Sequence, residues 1–75
     1  MKKTLAKRLA EGELVVGTMV RDALSLSVVD ALLSAGFDFF VLDMEHTGID
    51  VLTAAPLLWY GMARGLPGIV MVPTL

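Results

Sequence analysis

The stretch "FDFFVLDMEHTGID", Phe37 to Asp50, decides the fold. Its first half, Phe37 to Asp43, is aromatic and β-branched with almost no polar interruption, so it reads as a strand covered on both faces. Polarity changes abruptly at the end of that run. Asp43, Glu45, Asp50 and His46, the one histidine of the chain, fall within eight residues. Strands apolar on both faces belong to parallel sheets covered by helices, and in such sheets chemistry collects at the C-terminal ends of strands.

The flanking segments repeat the same alternation. Upstream, "SLSVVDALLSAG" predicts a helix with Ser25 or Ser27 as N-cap, Val28, Val29, Leu32 and Leu33 on one face, and Gly36 at its stop. Before it, "ELVVGTMV", Glu13 to Val20, reads as another buried strand, and "TLAKRLAE" as a short amphipathic helix with Leu5 and Leu9 four apart. Downstream, "DVLTAAPLLWYGMARG" is helical in composition but contains Pro56. Taking Thr53 rather than Asp50 as the cap of its regular part puts the proline in the first turn, where its missing N–H costs little. Trp59 and Tyr60 are expected to pack among Leu57, Leu58 and Met62. After Gly65 and Pro67, "GIVMVP" predicts a third strand, Gly68 to Pro73. Helix, strand, helix, strand, helix, strand implies right-handed βαβ units in an α/β fold with a parallel sheet. Three such strands complete neither a barrel nor a doubly wound sheet, so residues 1–75 are expected to be one incomplete domain.

Composition narrows the function classes. Hydrophobic residues at 56% against 19% charged exclude disorder, and leave too few polar residues to cover so small a domain. The net charge of -2 carries no basic patch for nucleic acid; Lys2, Lys3, Lys7 and Arg8 read as a solvated helix face. Without cysteine there is neither a disulfide framework nor thiol chemistry, which fits a cytoplasmic protein. Residues 51–75 carry one charge, Arg64, but Pro56, Gly61, Gly65, Pro67 and Gly68 break the run, so no membrane span is expected. Charges continue to Glu13 at the N-terminus, which does not read as a signal peptide.

At the polar end of the second strand, an extended chain would put Asp43 and Glu45 on one face and Met44 and His46 on the other. Histidine moves protons near neutrality, a neighbouring carboxylate fixes its tautomer, and carboxylates hold divalent cations directly or through water. A solvated loop histidine fits the same spacing. Asp50 reads as a cap or turn residue rather than a catalyst. Arg21, ending the first strand, either reaches the same mouth to hold a substrate carboxylate or pairs on the surface with Asp22 or the local acids. Met19, Met44, Met62 and Met71 read as core.

Together, "AEGELVVGTMV", "SAGFDFFVLDMEH" and "GLPGIVMVP" resemble the N-terminal part of the HpcH/HpaI aldolase/citrate lyase family, nearest its class II 2-oxo-3-deoxy acid aldolases such as 4-hydroxy-2-oxoheptanedioate aldolase. The resemblance implies the first three strands of a TIM (β/α)8 barrel, in a carbon–carbon lyase that cleaves 2-oxo acids to pyruvate and an aldehyde with Mg²⁺, Mn²⁺ or Co²⁺. It further implies a homo-oligomer, commonly a hexamer. His46 matches the family's proton-moving histidine, Asp43 and Glu45 the acids that orient it and nearby water, and Gly17 a strand position close to the substrate pocket. The family's Glu and Asp metal ligands, and the acid that partners its histidine, lie on later strands, so no metal ligand is expected within this chain and the 75 residues alone are expected to be inactive. The family's "VRVP"-like arginine is replaced by Met71 in "VMVP", which leaves Arg21 or a later residue to bind the substrate oxygens. Two other readings remain: a non-enzymatic assembly or regulatory piece, and a related lyase acting on acyl-CoA esters, of citrate lyase or malyl-CoA type.

Overall fold

Six short elements alternate along the computed structural model, which describes residues 3–22 and 24–72. They are α1 (Leu5–Ala10), β1 (Gly17–Val20), α2 (Ser27–Ser34), β2 (Phe39–Asp43), α3 (Val51–Arg64) and β3 (Gly68–Met71). The strands form one parallel sheet in the order β1-β2-β3. Met19 lies beside Val41 and Val41 beside Ile69, while Leu42 sits between Val20 and Val70. Lys2 and Pro73, both part of the sequence expectations, lie outside the described residues.

Val29 of α2 and Leu57 of α3 pack with Phe40 and Leu42, so both crossover helices lie on one face of the sheet, as two successive crossovers of the same hand require. Phe40 and Leu42 of β2 point to that face and are fully buried with Val29 of α2, Leu57 of α3 and Leu66. The opposite face has no helix against it. Met19 and Ile69 there remain 42% and 46% exposed, so the expectation of strands buried on both faces is corrected for β1 and β3. The strands are also shorter than their apolar runs. β1 begins at Gly17 rather than Glu13: the Val16 N–H donates to Asp38 Oδ2 at 2.8 Å, and its carbonyl accepts from the Asp38 N–H at 2.7 Å.

Helix ends follow local hydrogen bonding more than the sequence suggested. Thr4 caps α1 by accepting the Lys7 N–H at 3.1 Å, yet α1 buries no residue and Leu9 is exposed. Its attachment is ionic, through Arg8 to Asp38 at 2.7 Å and to Glu13 at 3.1 Å. Neither serine caps α2; their hydroxyls bond each other at 2.6 Å, and the first N–H groups go to the Ser25 and Leu26 carbonyls. Asp50, not Thr53, caps α3, accepting the Thr53 N–H at 2.9 Å. Pro56 therefore lies inside the helix, but Leu52, whose carbonyl it leaves without a partner, is 86% exposed and open to water.

Ala54, Leu57 and Gly61 set the inward face of α3, and Trp59, about 200° around the helix from Leu57, points outward at 73% exposure. The packing role expected of Trp59 and the core placement of Met62, also exposed, are thereby corrected. Tyr60 does pack against the core, and its hydroxyl donates to Asp30 of α2 at 2.9 Å. Arg64 pairs with the same carboxylate at 3.2 Å and lies 5.8 Å from the Tyr60 ring centre, fastening α3 to α2.

The end of α3 governs how β3 enters the sheet. Gly65 adopts a left-handed conformation (φ 86°), the Leu66 N–H returns to the Gly61 carbonyl at 2.7 Å, and the Leu66 side chain is fully buried. A Cβ on Gly61 would stand 2.5 Å from the Leu66 carbonyl oxygen and 2.9 Å from Phe40 Cε1. Gly61→Ala should therefore destabilise the chain by about 1–3 kcal/mol despite the better helix propensity of alanine. A denaturant midpoint unchanged or raised by this substitution would contradict the packing described.

Candidate functional site

Asp43, the last residue of β2, is fully buried although it is charged. Beyond Met44, whose N–H still reaches the Met71 carbonyl at 2.9 Å, the chain bends over the carboxylate instead of continuing as a strand. Asp43 Oδ1 accepts the N–H groups of Glu45 at 3.0 Å and His46 at 2.9 Å. Oδ2 lies 3.3 Å from His46 Nδ1 and 3.1 Å from Arg21 Nε. Thr47 Oγ1 then donates to the Asp43 carbonyl and accepts the Ile49 N–H at 3.2 Å, just before Asp50 caps α3.

The extended alternation expected for this segment is thus replaced by a turn. Asp43 and His46 meet, while Glu45 remains exposed and its carboxylate makes no ion pair among the described residues. Arg21 does reach this mouth, pairing with Asp43 while its Nε–H also approaches Met19 Sδ at 3.3 Å. Met71 stands beside Asp43 in the register of β2 and β3. Gly17 lies at the opposite end of β1, and the Phe39 ring occupies the space its Cβ would need. Its small size serves that ring, not the mouth.

Asp43 is held below the ordinary carboxylate range, first by the His46 backbone N–H, then by the Glu45 N–H and the His46 ring, against the opposing effect of burial. An ionised carboxylate can only accept. A hydrogen bond between the two therefore requires the proton on His46 Nδ1, which turns Nε2 away from the carboxylate. The arrangement can orient a base, and it offers a guanidinium beside it.

Two contributors escaped the sequence reading. Asp38 carries the junction between α1 and β1, and Thr47 ties the loop after β2. A hydroxyl residue four positions after a strand-ending aspartate was the only available signal for Thr47. Among the described residues no group of three or more His, Cys, Asp and Glu could hold a metal ion, and both Asp43 oxygens already have partners. No helix among them is long and apolar enough to cross a membrane.

No protein-family model matches the sequence, and no curated protein matches it. Solved structures do. An HpcH/HpaI aldolase from Desulfitobacterium hafniense DCB-2 aligns with a TM-score of 0.89 and 30% identity over 95% of this chain and 27% of that one. The citrate synthase SbnG aligns with a TM-score of 0.83 and 30% identity over 95% of this chain and 29% of its own. The chain spans less than a third of either and has the fold of a segment of the aldolase TIM barrel, in agreement with the family resemblance of its motifs.

The depressed Asp43 pKa has a definite sign in stability. The unfolded carboxylate protonates first, at about pH 4, so the stabilisation is complete above that pH and is lost as pH falls through the lower folded value. Asp50, held low by the Thr53 N–H, contributes in the same direction. Melting temperature should fall steeply on acidification below about pH 4, and Asp43→Asn should flatten that slope, as thermal unfolding across pH 3 to 6 would check.

Proposed function

We propose that this chain forms the first three strands of a carbon–carbon lyase that cleaves a 2-oxo acid to pyruvate and an aldehyde, with His46 as its proton-moving group. The carrying observation is the His46 Nδ1 contact to the buried Asp43 carboxylate at the C-terminal end of β2, in a chain that aligns with an HpcH/HpaI aldolase. Asp43 fixes the tautomer. In cleavage Nε2 takes, directly or through water, the proton of the hydroxyl on the carbon that becomes the aldehyde; the carbon–carbon bond breaks to leave the aldehyde and the pyruvate enolate, and the proton is returned to the enolate carbon to give pyruvate, a last step whose reversal exchanges the methyl protons. Arg21 meets the carboxylate of the oxo acid, a role that Met71 on β3 cannot fill because a thioether carries no charge or donor. Glu45, exposed in the loop, orients water beside His46.

Mg²⁺, Mn²⁺ or Co²⁺ is the cofactor that the family resemblance implies. The described residues do not make a site for it, so the role proposed for this chain is confined to proton handling and carboxylate recognition. A cytoplasmic homo-oligomer completes the proposal. The alignment with citrate synthase SbnG favours one second reading, in which the same barrel segment serves carbon–carbon bond formation.

Exchange of pyruvate methyl protons in deuterated water tests the assignment. In a complete barrel carrying this segment, His46→Ala should slow exchange by about 10²-fold or more. Undiminished exchange would reduce His46 to a loop residue, and exchange catalysed by the 75 residues alone would overturn the division of labour proposed here.

A further inference from the structure

We propose that Thr47 is a positioning residue for His46, acting through its hydroxyl as the clasp of the loop that follows β2. The His46 ring is 60% exposed, so packing does not hold it against Asp43. Hydrogen bonds on the adjoining backbone must do so. The His46 N–H is fixed to Asp43 Oδ1 on one side, and on the other the next residue, Thr47, donates to the Asp43 carbonyl. His46 is thereby held between two anchors on a single buried residue, which brings Nδ1 to Oδ2.

The Asp43 carboxylate cannot restrain the second half of the loop, because Oδ1 already takes two N–H groups and Oδ2 the His46 ring and Arg21. That half is gathered by Thr47, whose oxygen also accepts the Ile49 N–H at 3.2 Å. A hydroxyl carries donor and acceptor on one atom, so it can tie a carbonyl to an N–H; a methyl in the same place can do neither. Gly48, next along the chain, has nothing within 4 Å of its Cβ position and adds no packing of its own. Removing the hydroxyl frees the segment between Asp43 and Ile49 and lets the imidazole turn away from Oδ2. Its catalytic consequence rests on the lyase reading; the placement of the ring does not.

The test is nitrogen NMR of the His46 ring in the 75-residue chain with Thr47→Val and Thr47→Ser, beside Asp50→Ala, which removes the α3 cap but leaves the clasp. Thr47→Val should lower the population protonated at Nδ1 and speed amide exchange at Glu45 and His46 by about fivefold for each hydrogen bond lost. Thr47→Ser should restore both, and Asp50→Ala should leave the ring tautomer unchanged. If Thr47→Val fails to fold, the wild-type chain decides: the Thr47 hydroxyl proton should exchange slowly and show a cross-peak to the Ile49 amide. A freely exchanging hydroxyl, or a wild-type tautomer ratio in Thr47→Val, overturns the proposal. An unchanged ratio alongside exchange that His46→Ala abolishes would remove the role of Thr47 and leave the lyase reading standing; a lost tautomer with no pyruvate exchange in a complete barrel would do the reverse.

Discussion

A single buried carboxylate organises the functional end of this chain. Asp43 occupies the last position of the central strand, where an uncompensated charge would be costly, and it is compensated on every side. Two backbone N–H groups satisfy Oδ1, and a histidine ring and an arginine share Oδ2. These donors come from Arg21, just past the end of β1, and from the loop after β2, so the charge ties neighbouring pieces of chain to one point. Its ionisation makes Oδ2 an acceptor for the His46 ring and for the Arg21 guanidinium.

Beneath that point the sheet is asymmetric. Phe40 and Leu42 anchor one face to α2 and α3, while Met19 and Ile69 on the other face stay largely open. The cause is topological: crossovers of one hand along one strand order deliver α2 and α3 to the same side. The excess of apolar residues over polar ones is visible in the same places, on the uncovered sheet face and along the outer surface of α3 at Leu52, Trp59 and Met62. In the aldolase with which the chain aligns, this segment is 27% of a longer polypeptide.

Much of this was legible in one dimension. The alternation of elements, the parallel sheet, the glycine stops at Gly36 and Gly65 and the placement of Asp43 and His46 at a strand end all follow from periodicity and punctuation. Other features were not legible because propensity is local and the deciding partner was distant. An apolar run such as Glu13 to Val16 looks like strand until Asp38, 22 residues from Val16, takes its backbone hydrogen bonds. Serines look like caps until they bond each other, and Trp59 looks like core until Ala54, Leu57 and Gly61 fix the rotation of α3.

By itself the sequence determined which residue types gather at the end of β2, because strand-length apolar runs and turn residues are local properties. Only the tertiary structure decided which of them touch. Asp43, Arg21 and His46 meet because β1 and β2 pair in parallel and the chain bends after Asp43, whereas Glu45, another carboxylate two residues away, is left in solvent. Hydrogen-bond geometry selects among neighbours over a few tenths of an ångström, and no one-dimensional pattern carries that information.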